Sequence, residues 1–373
     1  MSDPRIENLA RILVHYSTQV KEGDKVMIRG FPLDPIATPL ITEIYREVLR
    51  AGGHPYIAVD LENIRYIFLT EASEHQLRQP DPVSKMVAEE FDVDIRIGCD
   101  TNTRSLTGVK PEVWKLINRA YSDISETWSQ RSASGELRWV VSRFPTHAYA
   151  QDAGMSLIEF SDFFYHSAFA DSEDPLSQWK QMQENQEKLV NWLEGKQHVR
   201  ILGRSIDLEM SITGRKFINC HGRGNVPDGE IFTGPVEDSV NGKVKFSFPC
   251  IWSGTEVSGV ELIFENGKIV KASAEKNEEF LLETLKTDEG ANSLGEFGIG
   301  TNYQIKRFTK NMLFDEKIGG TIHLALGNGY PVTGSENRSA IHWDMLCDMR
   351  EGGQIIVDGE LFYDSGAFKI LAI

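Results

Sequence analysis

Cysteine is sparse in this sequence. Four of the 373 residues are cysteine (Cys99, Cys220, Cys250 and Cys347), and no two form a CxxC pair. That scatter excludes a zinc ribbon, a thioredoxin-like motif and a disulfide scaffold, and it suits a reducing compartment. Long apolar runs are missing as well: none approaches the ~18 residues of a membrane span. The opening MSDPRIENLA lacks the basic-then-apolar pattern of a secretion signal. A soluble, cytoplasmic protein is therefore expected. Positive charge is in deficit, with 39 Lys and Arg against 55 Asp and Glu and a net charge of −16. Such a balance repels phosphate backbones and argues against nucleic acid as a partner. It leaves two accounts open: solubility alone, or carboxylates converging on a cation.

Familiar nucleotide and hydrolase signatures are also missing. No GxGxxG follows the first strand-like segment, so a dinucleotide is not indicated. The GEFGIG segment at 295–300 has no Walker lysine and no strand-to-helix context. Ser258 does not stand in GxSxG, which removes a serine-hydrolase elbow.

What is present divides by texture. Length alone favours two domains. In the first half, Ile6, Leu9, Ile12 and Leu13 recur at helical spacing, and Val26–Ile28 reads as a buried strand. Pro35 and Pro39 bracket a helix entry whose apolar face runs to Leu49 before Gly52 and Gly53 stop it. Strands at 56–59, 93–97 and 137–141 alternate with helical patterns, which predicts βα units and a mainly parallel sheet. A polar helix from about 177 to 194 leads into short strands separated by Asn241-Gly242, Asn266-Gly267 and Asp358-Gly359, with one helix around 277–286. Asn-Gly supplies the positive φ angles of a tight turn. The expected organisation is an α/β domain over 1–195 and a β-rich, largely antiparallel domain over 196–373.

Candidate chemistry gathers in the second half. In the extended HWD segment His342 and Asp344 project to one side and Trp343 to the other. An imidazole beside a carboxylate is a half-site for a divalent metal, though a structural His–Asp hydrogen bond accounts for it equally. In GGTIHLALG, Ile322, Leu324 and Leu326 form an apolar face, leaving His323 among small residues on the other. Glu316 lies seven residues earlier, and two intervening glycines let it fold back towards His323. Glu230 follows a Pro-Asp-Gly turn, and Glu296 stands between Gly295 and Gly298, settings where backbone approaches closely. Tyr330 ends a glycine-rich loop; it is either a packed aromatic or a phenol able to donate to a developing oxyanion. His221 is a stray candidate, and His15, His54, His75, His147, His166 and His198 show no partner pattern.

Taken in order, NVPDGEIFTGP, VNGKV, GEFGIGTN, FDEKIGGTIHLALGNGYP and NRSAIHWDM resemble the aminopeptidase T family of metallopeptidases across most of residues 220–350. The resemblance implies an α/β N-terminal domain, a β-rich catalytic domain and a homodimer enclosing its active sites. It implies a metal set of Glu230, Glu296, Glu316, His323, His342 and Asp344, with Glu296 bridging two divalent ions (zinc, cobalt or manganese) and Tyr330 as the active-site tyrosine. The substrate would be a peptide with a free N-terminus. Two departures stand out. The interval from Glu316 to His323 is longer than the family can show, and the tip between Tyr330 and His342 is short. Rival readings are a mononuclear non-haem iron dioxygenase using His323, His342 and Asp344, and a non-catalytic member of the fold.

Overall fold

A computed structural model describes residues 3–31 and 35–370 of the chain. They form two compact units, one of residues 1–179 with 222–227 and one of 180–221 with 228–373.

The first unit is built on a parallel sheet. Strands β1 (Lys25–Phe31), β2 (His54–Val59), β3 (Val93–Gly98) and β4 (Arg138–Arg143) pair in the order β2-β1-β3-β4, and Asn225–Val226 adds a short parallel edge. Val26, Ile28, Ile95, Ile97 and Val140 are fully buried, as strands covered on both faces require. The helix Thr38–Arg50 covers the sheet with Leu40, Ile41, Ile44 and Val48, whereas Leu49, the expected end of that apolar face, is exposed. Asp94 is buried in β3 and satisfied by Arg29 at 2.8 Å and Arg96 at 2.7 Å. Losing either arginine would strand part of that charge.

The second unit packs two antiparallel sheets onto one core. The larger has eight strands in the order Lys268–Ser273, Glu261–Glu265, Asn241–Lys245, Ile206–Ser211, His198–Gly203, Gln354–Val357, Glu360–Asp364 and Ala367–Phe368. The smaller comprises β5 (Ile218–Cys220), β6 (Glu230–Thr233), β7 (Leu294–Gly300), β8 (Thr321–Gly327) and β9 (His342–Asp348), each paired with its neighbour in that order. Val199, Ile201, Leu208 and Met210 from the large sheet meet Ile231, Phe297, Leu324, Trp343 and Met345 from the small one. Burial of this apolar area, at roughly 25 cal/mol per Å², is what holds the two sheets face to face.

Two of the three expected turns are observed. Asn266-Gly267 and Asp358-Gly359 both take positive φ between paired strands. Asn241-Gly242 does not turn. Both residues lie inside a strand, where Gly242 sits between Leu208 and Phe264, and a β-carbon there would overlap the Asp207 carbonyl. Glycine at that point serves close backbone approach, the other use of the same residue. On β7 a bulge at Gly295 separates the pairs Leu294–Leu326 and Glu296–Ala325.

Candidate metal centre

Alternation along the small sheet sorts its side chains into two sets. Ile231 of β6, Phe297 and Ile299 of β7, Ile322, Leu324 and Leu326 of β8, and Trp343, Met345 and Cys347 of β9 enter the core. Their neighbours Glu230, Glu296, Gly298, His323, His342 and Asp344 consequently share the other face. Register completes the convergence. His323 is paired with Gly298, Asp344 with Ala325, and His342 with Gly327, so on one flank each of these three side chains faces a residue with little or no side chain.

The polar atoms meet at short range. His323 Nε2 lies 3.0 Å from Glu296 Oε1 and 3.1 Å from Glu230 Oε2. His342 Nε2 lies 3.7 Å from Glu296 Oε2 and 3.6 Å from Asp344 Oδ2. His342 Nδ1 donates to the Asn328 carbonyl at 2.8 Å, which turns Nε2 towards the carboxylates. Among the described residues three groups bring ligand atoms within 4.8 Å of one another: Glu230, Glu296 and His323; Glu296, His342 and Asp344; and Cys220, Asp228 and Glu230. The first two share Glu296.

Charge in this pocket is poorly satisfied by protein alone. Glu230 Oε2, Glu296 Oε2, Asp344 Oδ1 and His323 Nδ1 are buried without a hydrogen-bond partner. Each such atom carries a desolvation cost of about 1–3 kcal/mol, more for charged groups. Burial opposes a charged His323, yet Glu230, Glu296 and Asp344 outweigh it and raise its pKa to about 10. His342 moves up for the same reason, with Asp344 and Glu296 overcoming burial. Burial raises Glu296 despite His323, and raises Asp344 despite His342. In the absence of another cation the site retains protons. A donor set of carboxylates and imidazoles with orphaned oxygens fits a divalent ion.

Glu316 and Tyr330 lie at the margin. Glu316 caps the short helix Met312–Asp315 and belongs to none of the three groups; its carboxylate pairs with Lys317 Nζ. Its charge still acts on Asp344, His342 and Tyr330. Tyr330 stands edge-on to His342, centroids 5.1 Å apart, and to Phe232 at 5.5 Å, with 43% of its surface exposed. Burial of the phenol, with Glu296 and Asp344 nearby, pushes its pKa up, so the hydroxyl keeps its proton.

Three neighbours of Glu230, namely Lys317, Asp228 and Cys220, were not singled out from the sequence. Lys317 is fully buried, with Nζ 2.7 Å from Glu230 Oε1 and 3.8 Å from Asp228 Oδ1. Burial works against its charge, but Glu230, Glu316 and Asp228 hold the ammonium well above the usual lysine range. Cys220 pairs with Glu230 across β5 and β6. A lysine in a Gly-rich loop reads as a solvated charge, and only its position directly after Glu316 hinted at more. His221 contributes to none of the three groups.

The family model for thermophilic metalloproteases (M29) matches residues 2–368. The chain belongs to that family and is an enzyme of the metallopeptidase class, a hydrolase. It is similar to Aminopeptidase 2 of Geobacillus stearothermophilus, 25% identical over 92% of this chain and 88% of that one. It is also similar to Aminopeptidase T of Thermus aquaticus, 26% identical over 95% and 94%. The solved structure of wild-type AmpT from Thermus thermophilus shares its fold, with a TM-score of 0.83, 22% identity and coverage of 98% of this chain and 99% of that one. The expected pairing of a parallel α/β part with an antiparallel β-rich part is thus the fold of that solved structure.

Proposed function

We propose that this protein is a metal-dependent aminopeptidase that removes N-terminal residues from peptides. Two divalent ions, zinc, cobalt or manganese, would be held by Glu230, Glu296, Glu316, His323, His342 and Asp344. The observation that carries the reading is the position of Glu296. Its Oε1 faces His323 and its Oε2 faces His342, so one carboxylate serves two adjoining ligand groups. That is the placement a bridging ligand needs.

When bound, the ions supply Lewis acidity and a water whose pKa falls towards neutrality. The chain does the rest. His323 holds one oxygen of Glu296 at 3.0 Å and His342 stands 3.7 Å from the other, so the two imidazoles orient the shared carboxylate between them. Tyr330 donates its hydroxyl proton in a hydrogen bond to the substrate carbonyl oxygen as charge builds there. A carboxylate outside the bridging position passes a proton to the departing amine. An iron dioxygenase is disfavoured because Glu230 and Glu296 crowd His323, where that chemistry keeps positions open.

Cytoplasmic residence and a homodimer belong to the same proposal. Four free thiols and an acidic surface suit the first, and no helix among the described residues is long and apolar enough to cross a membrane. The test is hydrolysis of an aminoacyl anilide before and after chelation. Activity lost to chelator and restored by zinc, cobalt or manganese supports the proposal. Chelator-resistant hydrolysis, or iron with oxygen uptake and no amide cleavage, would refute it.

A further inference from the structure

Among the described residues three groups of side chains have ligand atoms close enough to share an ion, and one of the three already holds a positive charge. In the third, Cys220, Asp228 and Glu230, a cation is already present in covalent form. The Lys317 ammonium approaches Glu230 Oε1 at 2.7 Å and Asp228 Oδ1 at 3.8 Å, and it also pairs with Glu316. Its place is set by backbone rather than by the flexibility of a surface lysine. Lys317 N donates to Phe314 O at 3.1 Å, and Lys317 O accepts from Asn302 N at 3.0 Å. The Asn302 side chain donates to Asp228 O at 2.8 Å, so one asparagine anchors both the lysine and its carboxylate partner. The opposite wall is held by Gln186, whose Nε2 bonds Cys220 O at 2.9 Å and Glu230 O at 3.0 Å.

We propose that Lys317 is a positioning residue, the resident cation of the Cys220–Asp228–Glu230 corner, which keeps metal out of that corner and commits Glu230 to His323. Glu230 has two oxygens. With Oε1 engaged by Lys317, only Oε2 is left for the His323 side, where it stands 3.1 Å from Nε2. The lysine thereby fixes Glu230 as a one-oxygen ligand and limits the number of ions the pocket accepts. It also keeps a thiol, the softest donor nearby, away from the metals. This inference rests on the dinuclear reading of the site.

The test is titration of the whole protein with cobalt, read by absorption and by calorimetry. Wild type should take up two ions without thiolate-to-cobalt charge transfer, and C220S should match it in count and spectrum. K317M should take up a third ion and gain the charge-transfer band, and the double variant K317M/C220S should lose that band. A merely structural lysine would not produce a sulfur-specific signal. A folded K317M with two ions and no band would overturn the role of Lys317 alone. Should K317M fail to fold, the wild-type pair still decides: a thiolate band in wild type, or a change in ion count in C220S, refutes the exclusion. Wild type that takes up no cobalt sinks the metal reading and this inference together.

Discussion

Gly298 lies directly opposite His323 in the β7–β8 pair, and a β-carbon on Gly298 would occupy the space of the imidazole ring. The histidine therefore lies flat across a residue that has no side chain, with Nε2 aimed at Glu230 and Glu296. Gly298→Ala should push the ring aside. Overpacking of this kind costs about 1–3 kcal/mol, but the sharper effect falls on ligand geometry. Zinc affinity is expected to drop at least about tenfold, equivalent to ~1.4 kcal/mol. Calorimetric titration of the folded variant checks this; unchanged affinity would separate His323 from the metal.

Glu296 is the shared member of two ligand groups, so its loss should not be partial. Glu296→Gln is expected to lose both ions together, and activity with them. Elemental analysis after dialysis measures it. One ion retained at full occupancy would mean that another carboxylate bridges.

Tyr330 predicts the opposite split. The residue stands edge-on to His342 and belongs to no ligand group. Tyr330→Phe should leave metal content unchanged while kcat falls roughly 100- to 1000-fold, the range for removing one oxyanion donor. Normal turnover by that variant would end the assignment.

Metal uptake should be proton-coupled. In the metal-free site the surrounding carboxylates raise the His323 pKa to about 10. Below that pH an incoming ion must displace the proton, so affinity is expected to climb with pH and level off above about 10. Calorimetry in buffers of differing ionisation enthalpy reads the protons released. A pH-independent affinity between 7 and 9 would contradict the charged state of His323.

Beneath the site, Trp343 is 1% exposed and packs against Trp252 and Phe280. Trp343→Ala should cost about 3–5 kcal/mol of stability, measured as the midpoint shift in denaturant. His342 and Asp344 flank it on the same strand, so metal affinity should weaken in parallel.

Strand alternation made much of this legible from sequence. The apolar sets Ile322/Leu324/Leu326 and Trp343/Met345 announce which way His323, His342 and Asp344 point, because the period of two leaves no choice. Lys317 was not legible. Burial of a loop lysine depends on carboxylates 87 and 89 residues away in Glu230 and Asp228, and no local pattern encodes that meeting. Asn241-Gly242 misled for a different reason: positive φ suits a turn and a crowded strand equally, and the neighbour at Asp207 decides. Glu316 sits between these cases. Its proximity to the cluster was expected from the glycines, but its pairing with the adjacent lysine was not.

The extra residue in β7 carries a parity consequence. In an unbroken strand Leu294 and Glu296, two apart, would fall on one side. Gly295 absorbs one step, so Leu294 plugs the hydrophobic interior while Glu296 emerges opposite Ala325 among the ligands. Straightening the strand with Gly295 counted in the ladder would force a choice, either a leucine among the carboxylates or a glutamate driven into hydrocarbon. The bulge is thus a sign change written into the backbone, and it keeps Gly295 from turning the bridging position away from the ligands.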